Sequence, residues 1–442
     1  MTFGKWDRMD TKKKVAFITL GCKVNTAETE GMKKLFREAD YEIVSEDEYA
    51  DVYIVNTCTV TNMGDRKSRQ MLRKAHNLNP DAIVAAVGCF AQVAPDEAAK
   101  IEGVNLVVGN NMKHNIVELV EKSKDEAQKK YVFERKALCE FEEMPIETYE
   151  DHTRAFLKVQ DGCDQFCSYC IIPYARGPVR SRKMDDVIKE AEGLALRGFK
   201  EVVLTGIHLT SYGVKEGSGL AQLIKNIHQV KGIERIRLGS LEPMFLNYEF
   251  INDIQNLPKL CPHFHISLQS GCDSTLKRMN RKYTTQDYRN IVNMLKEKVE
   301  NVTITTDIMV GFPGETEEEF QKSYDFCKEM GFLSMHVFKY SPRKGTPAAN
   351  YPMQVNSSIK EQRSKTMIEL AEALRKNVMT NFIGYEMPVL LEQPVEANSC
   401  DLEGHTPNYI PVIVEFDGEK TGEIINVRLE NIEGTRIRAV AL

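Results

Sequence analysis

Residues 155–170 read Ala-Phe-Leu-Lys-Val-Gln-Asp-Gly-Cys-Asp-Gln-Phe-Cys-Ser-Tyr-Cys. The first six form a short strand candidate, and the loop begins at Asp161-Gly162. Cys163, Cys167 and Cys170 then stand at i, i+4 and i+7 in a loop directly after that strand. Three thiolates on a four-iron cluster leave the fourth iron open to a substrate, whereas an electron-carrying cluster closes all four positions. The competing account is a closed zinc site that borrows a fourth ligand, such as His208 or Cys272.

Downstream of this loop, strand candidates recur as EVVLTG (201–206), RIRLGS (235–240), HFHISLQ (263–269), TITTDIMVG (303–311) and SMHVFKY (334–340), with helical patterns between them. Together with the opening strand they predict an open barrel of six βα units. A further helix places Met367, Leu370, Leu374 and Val378 on one stripe, and Gly384 is set to end it. From Tyr385 the pattern changes to VLLEQ, NYIPVIVEF, a turn at Asp417-Gly418, and Ile425, Val427 and Leu429 alternating with polar residues. This is a small β-barrel signature.

Upstream, residues 15–120 alternate short β-branched runs with helical spacing: VAFITLG, DVYIVNT, IVAAVG and NLVVG. They predict an α/β domain with a parallel sheet. Charged, weakly periodic sequence at 121–150 suits a connector. The expected order is therefore an α/β domain at 13–120, a connector at 121–150, the barrel with its trailing helix at 151–384, and the β-barrel at 385–442.

Cys22, Cys58 and Cys89 each follow one of the N-terminal strand candidates. In a parallel sheet the carboxyl ends share one edge, where α/β folds build ligand sites. Spacings of 36 and 31 residues would thus converge into a second trio. Three buried core thiols are the bland alternative. Cys139, Cys261, Cys272, Cys327 and Cys400 are taken as ordinary thiols.

The 442 residues carry 42% hydrophobic content, which allows more than one core. Met1 to Lys14 is polar, and no stretch approaches the roughly 18 apolar residues of a membrane span. A cytoplasmic location without a membrane partner is expected. The eleven cysteines, an odd number, fit metal or catalytic use better than a disulfide framework. A net charge of −6 argues against a surface coated in nucleic-acid contacts but leaves room for local basic patches.

Cys-x-x-x-Cys-x-x-Cys after the first barrel strand resembles the signature of the radical S-adenosylmethionine superfamily. TLGCKVN (19–25), NTCTVTN (56–62), GCFAQ (88–92), GCDQFCSYCIIPYARGPVRSR (162–182), LQSGCD (268–273) and IMVGFPGET (308–316) make nearly the whole chain resemble the methylthiotransferases. The C-terminal module is similar to the RNA-binding, OB-like TRAM barrel. The resemblance implies two [4Fe-4S] clusters, one on Cys163, Cys167 and Cys170 and an auxiliary one on Cys22, Cys58 and Cys89, together with S-adenosyl-L-methionine. Phe166 and Tyr169 look like the aromatics that shield the cluster and stack near the adenine in that superfamily; loop packing is the alternative. Gly206, Ser240, Glu242, Gln269, Ser270 and Gly311, at carboxyl ends of barrel strands, are candidate cofactor contacts. The superfamily's Gly-Gly-Glu is replaced here by Thr205-Gly206-Ile207-His208, which puts that contact in question. His208, His265 and His336 are read as packed or rim histidines.

GCKVN, NTCTVT and YARG look like the branch that adds a methylthio group at C2 of N6-threonylcarbamoyladenosine at tRNA position 37. The isopentenyladenosine branch and the branch acting on a ribosomal-protein aspartate are the rivals. An RNA-binding iron–sulfur sensor is the rival of another class. Basic residues near the two motifs (Arg66, Lys67, Arg69; Arg176, Arg180, Arg182) and on the last barrel (Arg428, Arg436, Arg438, beside Tyr409) are expected to meet tRNA phosphates. A flavodoxin- or ferredoxin-type electron donor is the other expected partner, and DNA is not expected.

Overall fold

The computed structural model describes residues 12–123, 129–144, 146, 149, 152–396, 400–415 and 421–442. The chain divides into two compact units: residues 1–147 with Tyr174–Pro178, and residues 148–173 with Val179–Leu442. Among the described residues no helix is long and apolar enough to cross a membrane.

The first unit is built on six parallel strands in the order Glu42–Val44, Lys14–Thr19, Val52–Thr57, Ile83–Gly88, Val104–Val108, Lys129–Tyr131. Val52–Thr57 and Ile83–Gly88 are buried along their whole length, as strands covered on both faces must be. Met32 and Phe36 of the helix Lys23–Glu38 pack with Val15, Phe17 and Ile54 on one face. On the other, Leu72 and Ala75 of the helix Asn62–Leu78 meet Ala16, Val55 and Ala86. Strand order reverses between Lys14–Thr19 and Val52–Thr57, and the crevice beyond the carboxyl ends at such a reversal is where doubly wound sheets bind ligands.

In the second unit Glu201–Thr205 lies between Arg154–Lys158 and Arg235–Leu238, and Thr303–Val310 lies between His263–His265 and Ser334–Lys339, all pairs parallel. Parallel bridges from Ile236 to Leu260 and from Leu241 to Ile266 join the halves into the expected open barrel. The helix Ser357–Thr380 buries Met367, Leu370 and Leu374, and Gly384 follows it with φ 88°. The C-terminal strands close into a barrel in the order Glu386–Pro394, Asp401–His405, Pro411–Glu415, Arg436–Ala441, Ile424–Glu433. Val389, Leu391, Val412, Val427 and Ile437 fill it. The turn expected at Asp417-Gly418 lies outside the described residues.

Within this unit the small barrel docks on the open barrel through buried charge. Arg237 donates to Glu201 at 2.6 Å and to the Pro407 carbonyl at 3.0 Å, and Arg235 reaches the carbonyls of His405 and Pro388. Tyr409, expected beside an RNA face, is instead stacked against His263 at 4.5 Å and His405 at 4.6 Å, with Arg237 over its ring. Its ring is used up in holding the two barrels together. Burial alone would raise the Glu201 carboxyl, but Arg237, Arg154 and Arg235 outweigh it and hold the group down to about 2. Glu201→Gln is expected to cost about 3–5 kcal/mol, because it strands a buried guanidinium, and denaturant unfolding of the whole chain reads that loss. The contribution of this carboxylate is complete above its ordinary value of 4.5 and is lost as pH falls toward about 2. An unchanged midpoint in the variant would refute this account of the junction.

Candidate functional site

The loop after Arg154–Lys158 is shaped by Gly162 at φ 75° and Phe166 at φ 47°. Gln160 pins it: its amide donates to the carbonyls of Asp161 and Gly162, and its carbonyl oxygen accepts from the His208 N–H at 2.7 Å. A side chain at Gly206 would meet Gln160 at 2.9 Å, which explains the glycine there. Each of the three thiols in the loop receives an N–H donor: Gln165 to Cys163 at 3.5 Å, Arg281 to Cys167 at 3.2 Å, Ile172 to Cys170 at 3.4 Å. Donors aimed at sulfur suit thiolates that ligate a metal. Burial pushes the free thiols of Cys163 and Cys170 up to about 12, so a bound iron would take the place of the proton.

In the first unit Cys22, Cys58 and Cys89 follow the three strands nearest the reversal in strand order. The electrostatic surroundings of Cys58 include both Cys22 and Cys89, and Gly21 lies so close to Cys58 that a Cβ would sit 3.1 Å from its Sγ. Cys22 accepts from the Asn25 N–H, Cys58 from the Val60 N–H, and Cys89 from Arg176 Nε at 3.2 Å and Asn110 Nδ2 at 3.6 Å. The donor set therefore matches that of the other trio. Arg176 is fully buried and also binds Asn25 and both oxygens of Glu28, which Lys113 binds in turn.

The softer cofactor contacts separate into groups. Glu242 is tied to Arg281 by two bonds of 2.7 Å and so stands one residue behind Cys167. Gln269, at φ 64°, is held between the backbones of Asp307 and Met309. Ser240 is exposed. Ser270 is buried, with its hydroxyl accepting from the Cys272 N–H, and the Gly311 N–H donates to Glu315 at 2.6 Å, so both serve their own turns. Tyr169 packs against the cluster of Met279, Phe312 and Tyr340, and Phe166 is exposed.

Among the basic residues, Arg66, Lys67 and Arg428 are exposed. Arg69 binds Glu97 at 2.7 Å, Arg436 binds Glu403 at 2.5 Å, and Arg438 binds Asp401 at 2.6 Å. Arg176, Arg180 and Arg182 do not face a phosphate backbone. They are 0%, 4% and 5% exposed, and a buried guanidinium needs a carboxylate. Glu28, Asp161 and Glu190 supply one each.

Sequence reasoning missed Arg281 and the role of Arg176, because the sulfur each serves lies more than eighty residues away in the chain. It also missed that His265, Asp307 and His336 come together. Alternate-position polar residues on neighbouring strands were the available signal.

Two family models match: the radical SAM superfamily over residues 157–327, and uncharacterized protein family UPF0004 over residues 14–109. The threonylcarbamoyladenosine tRNA methylthiotransferase MtaB of Bacillus subtilis is 40% identical, the match covering 94% of this chain and 93% of that one. Its Aquifex aeolicus namesake is 41% identical over 94% and 99%. The tRNA-2-methylthio-N(6)-dimethylallyladenosine synthase of Acetivibrio thermocellus is 33% identical over 98% and 92%. Among solved structures, the radical S-adenosylmethionine methyltransferase TsrM of Kitasatospora setae aligns with a TM-score of 0.58 at 15% identity over 77% of each chain, a likeness of fold alone.

Proposed function

The chain belongs to the methylthiotransferase family of radical S-adenosylmethionine enzymes, and from that premise we propose which residues carry its reaction. The enzyme adds a methylthio group at C2 of N6-threonylcarbamoyladenosine at tRNA position 37, using S-adenosylmethionine and two four-iron clusters. Cys163, Cys167 and Cys170 hold one cluster, and Cys22, Cys58 and Cys89 hold the other. When bound, these groups supply the electron, the carbon radical and the methylated sulfur that the reaction consumes.

The protein's own part is placement. Arg281 donates to Cys167 while Glu242 fixes its guanidinium, so the sulfur sits in a set hydrogen-bonding frame. Arg176 does the same for Cys89. Tyr169, Met309, Phe312 and Tyr340 wall the radical loop with apolar surface that excludes water. Gly206 and Gln269 are assigned to the cofactor because they follow the carboxyl ends of barrel strands. Arg66, Lys67 and Arg428 contact tRNA phosphates and orient the anticodon arm. The electron donor is of flavodoxin or ferredoxin type, and the setting is the cytoplasm.

The near full-length likeness to proteins named for the threonylcarbamoyladenosine reaction carries this reading, and the isopentenyl substrate is the less supported one. Nucleoside mass spectrometry of tRNA from a strain lacking the gene is expected to show threonylcarbamoyladenosine without its methylthio group, with the isopentenyl counterpart still methylthiolated. Loss of the isopentenyl product instead would overturn the substrate assignment.

A further inference from the structure

The strand Thr303–Val310 buries Ile304, Thr306, Ile308 and Val310 on one face; Thr305, Asp307 and Met309 lie on the other. In register with them stand His265, opposite Thr305, and His336, opposite Asp307. One ring nitrogen of each histidine and one Asp307 oxygen lie within 4.8 Å of one another. His265 Nε2 is 3.2 Å from Asp307 Oδ2, and Thr305 Oγ1 is 2.9 Å from both His265 Nδ1 and His263 Nε2.

A hydroxyl has one proton to give, so Thr305 donates to one imidazole and accepts from the other. With His263 Nε2–H donating to Thr305 and Thr305 donating to His265 Nδ1, His265 donates its remaining N–H to Asp307. Every polar atom between His263 and Asp307 on this path then has a partner of the right kind. Asp307 keeps its other oxygen, and its side chain is 25% exposed; His336 is exposed beside it. One pleat further along the same face, about 7 Å, Met309 packs in the cluster that includes Tyr169, from the loop between Cys167 and Cys170. The trio thus opens on the side of the sheet that leads to the radical loop.

We propose that His265, Asp307 and His336 form the subsite for the threonylcarbamoyl group of the substrate adenosine, Asp307 accepting from its ureido N–H or hydroxyl and His336 donating to its carboxylate. This rests on the substrate reading given above. A threonylcarbamoyl group satisfies both kinds of hydrogen bond. An isopentenyl group carries no donor or acceptor, so its entry would desolvate Asp307 and His336 without repayment, which is how a site built for hydrogen bonding rejects an apolar analogue.

Synthetic anticodon stem-loops that differ only at N6, carrying threonylcarbamoyl, isopentenyl or nothing, test the subsite by fluorescence anisotropy on the cluster-loaded full chain. Wild type is expected to favour the threonylcarbamoyl RNA over the unmodified one by on the order of tenfold, the yield of one or two net hydrogen bonds. Asp307→Asn and His336→Phe are each expected to shrink that preference to roughly twofold or less. His336 is exposed, so its replacement does not threaten the fold, and iron content confirms that each variant is assembled. Variants that keep the wild-type preference overturn the proposal. So does one Mn2+ per chain seen by EPR in wild type and lost in Asp307→Asn, which would make the trio a metal site instead. If wild type itself neither prefers nor methylthiolates the threonylcarbamoyl RNA, the substrate reading falls and the subsite with it. Wild-type turnover alongside unaltered variant preference removes the subsite alone.

Discussion

Cys167→Ala protein, reconstituted anaerobically, is expected to hold about four irons where wild type holds about eight, and to form no 5′-deoxyadenosine from S-adenosylmethionine. Cys89→Ala is expected to show the same halving, with a measurable yield of 5′-deoxyadenosine and no methylthio product. The contrast follows from the chemistry assigned to each trio: one drives cleavage of the sulfonium, the other presents the sulfur. Removing one of three ligands leaves two thiolates for four irons, too few to hold a cluster that already lacks a fourth protein ligand. An enzyme that contributes about 10^6-fold or more through its cofactors then falls below detection. Iron analysis, visible absorption and product mass spectrometry read the three effects separately. Retention of about eight irons in either variant would remove that cysteine from the ligand set.

Arg176→Met is expected to destabilise the first unit by about 3 kcal/mol, the lower end for breaking a buried ion pair, since Lys113 still answers Glu28. It also deprives Cys89 of the donor at 3.2 Å. A thiolate that loses a hydrogen bond carries more charge, which disfavours adding an electron, so the auxiliary cluster's midpoint potential should move negative. Arg176→Lys is expected to behave nearly as badly. One ammonium cannot span Cys89, Asn25 and Glu28 as a planar fork does. Urea unfolding and a potentiometric EPR titration give the two readings. A stable variant with an unmoved potential would reduce Arg176 to a spectator.

Positions along single strands were legible in the sequence. Cys22, Cys58 and Cys89 each close an apolar run, and because strands of a parallel sheet end on one edge, three separate runs pointed to one place. The six barrel strands were legible for the same reason. Partners across the fold were not. Arg176, Arg180 and Arg182 looked like a basic run because the carboxylates they bind do not adjoin them in the chain: Glu28 lies 148 residues before Arg176, and burial beside Glu28, Asp161 and Glu190 is decided by tertiary packing. Tyr409 looked free for RNA because the histidines that sandwich it include one that lies 146 residues earlier. His265, Asp307 and His336 were invisible as a group, since each comes from a different strand and only the register of the sheet unites them.

Tyr174–Pro178 belongs to the first unit although it lies beyond the radical-cluster cysteines in the chain. The order of synthesis gives this a consequence. When residue 147 has left the ribosome, every strand of the first sheet has been made, but the guanidinium that completes the surroundings of Cys89, Asn25 and Glu28 has not. That half becomes whole only after all six candidate iron ligands have been translated.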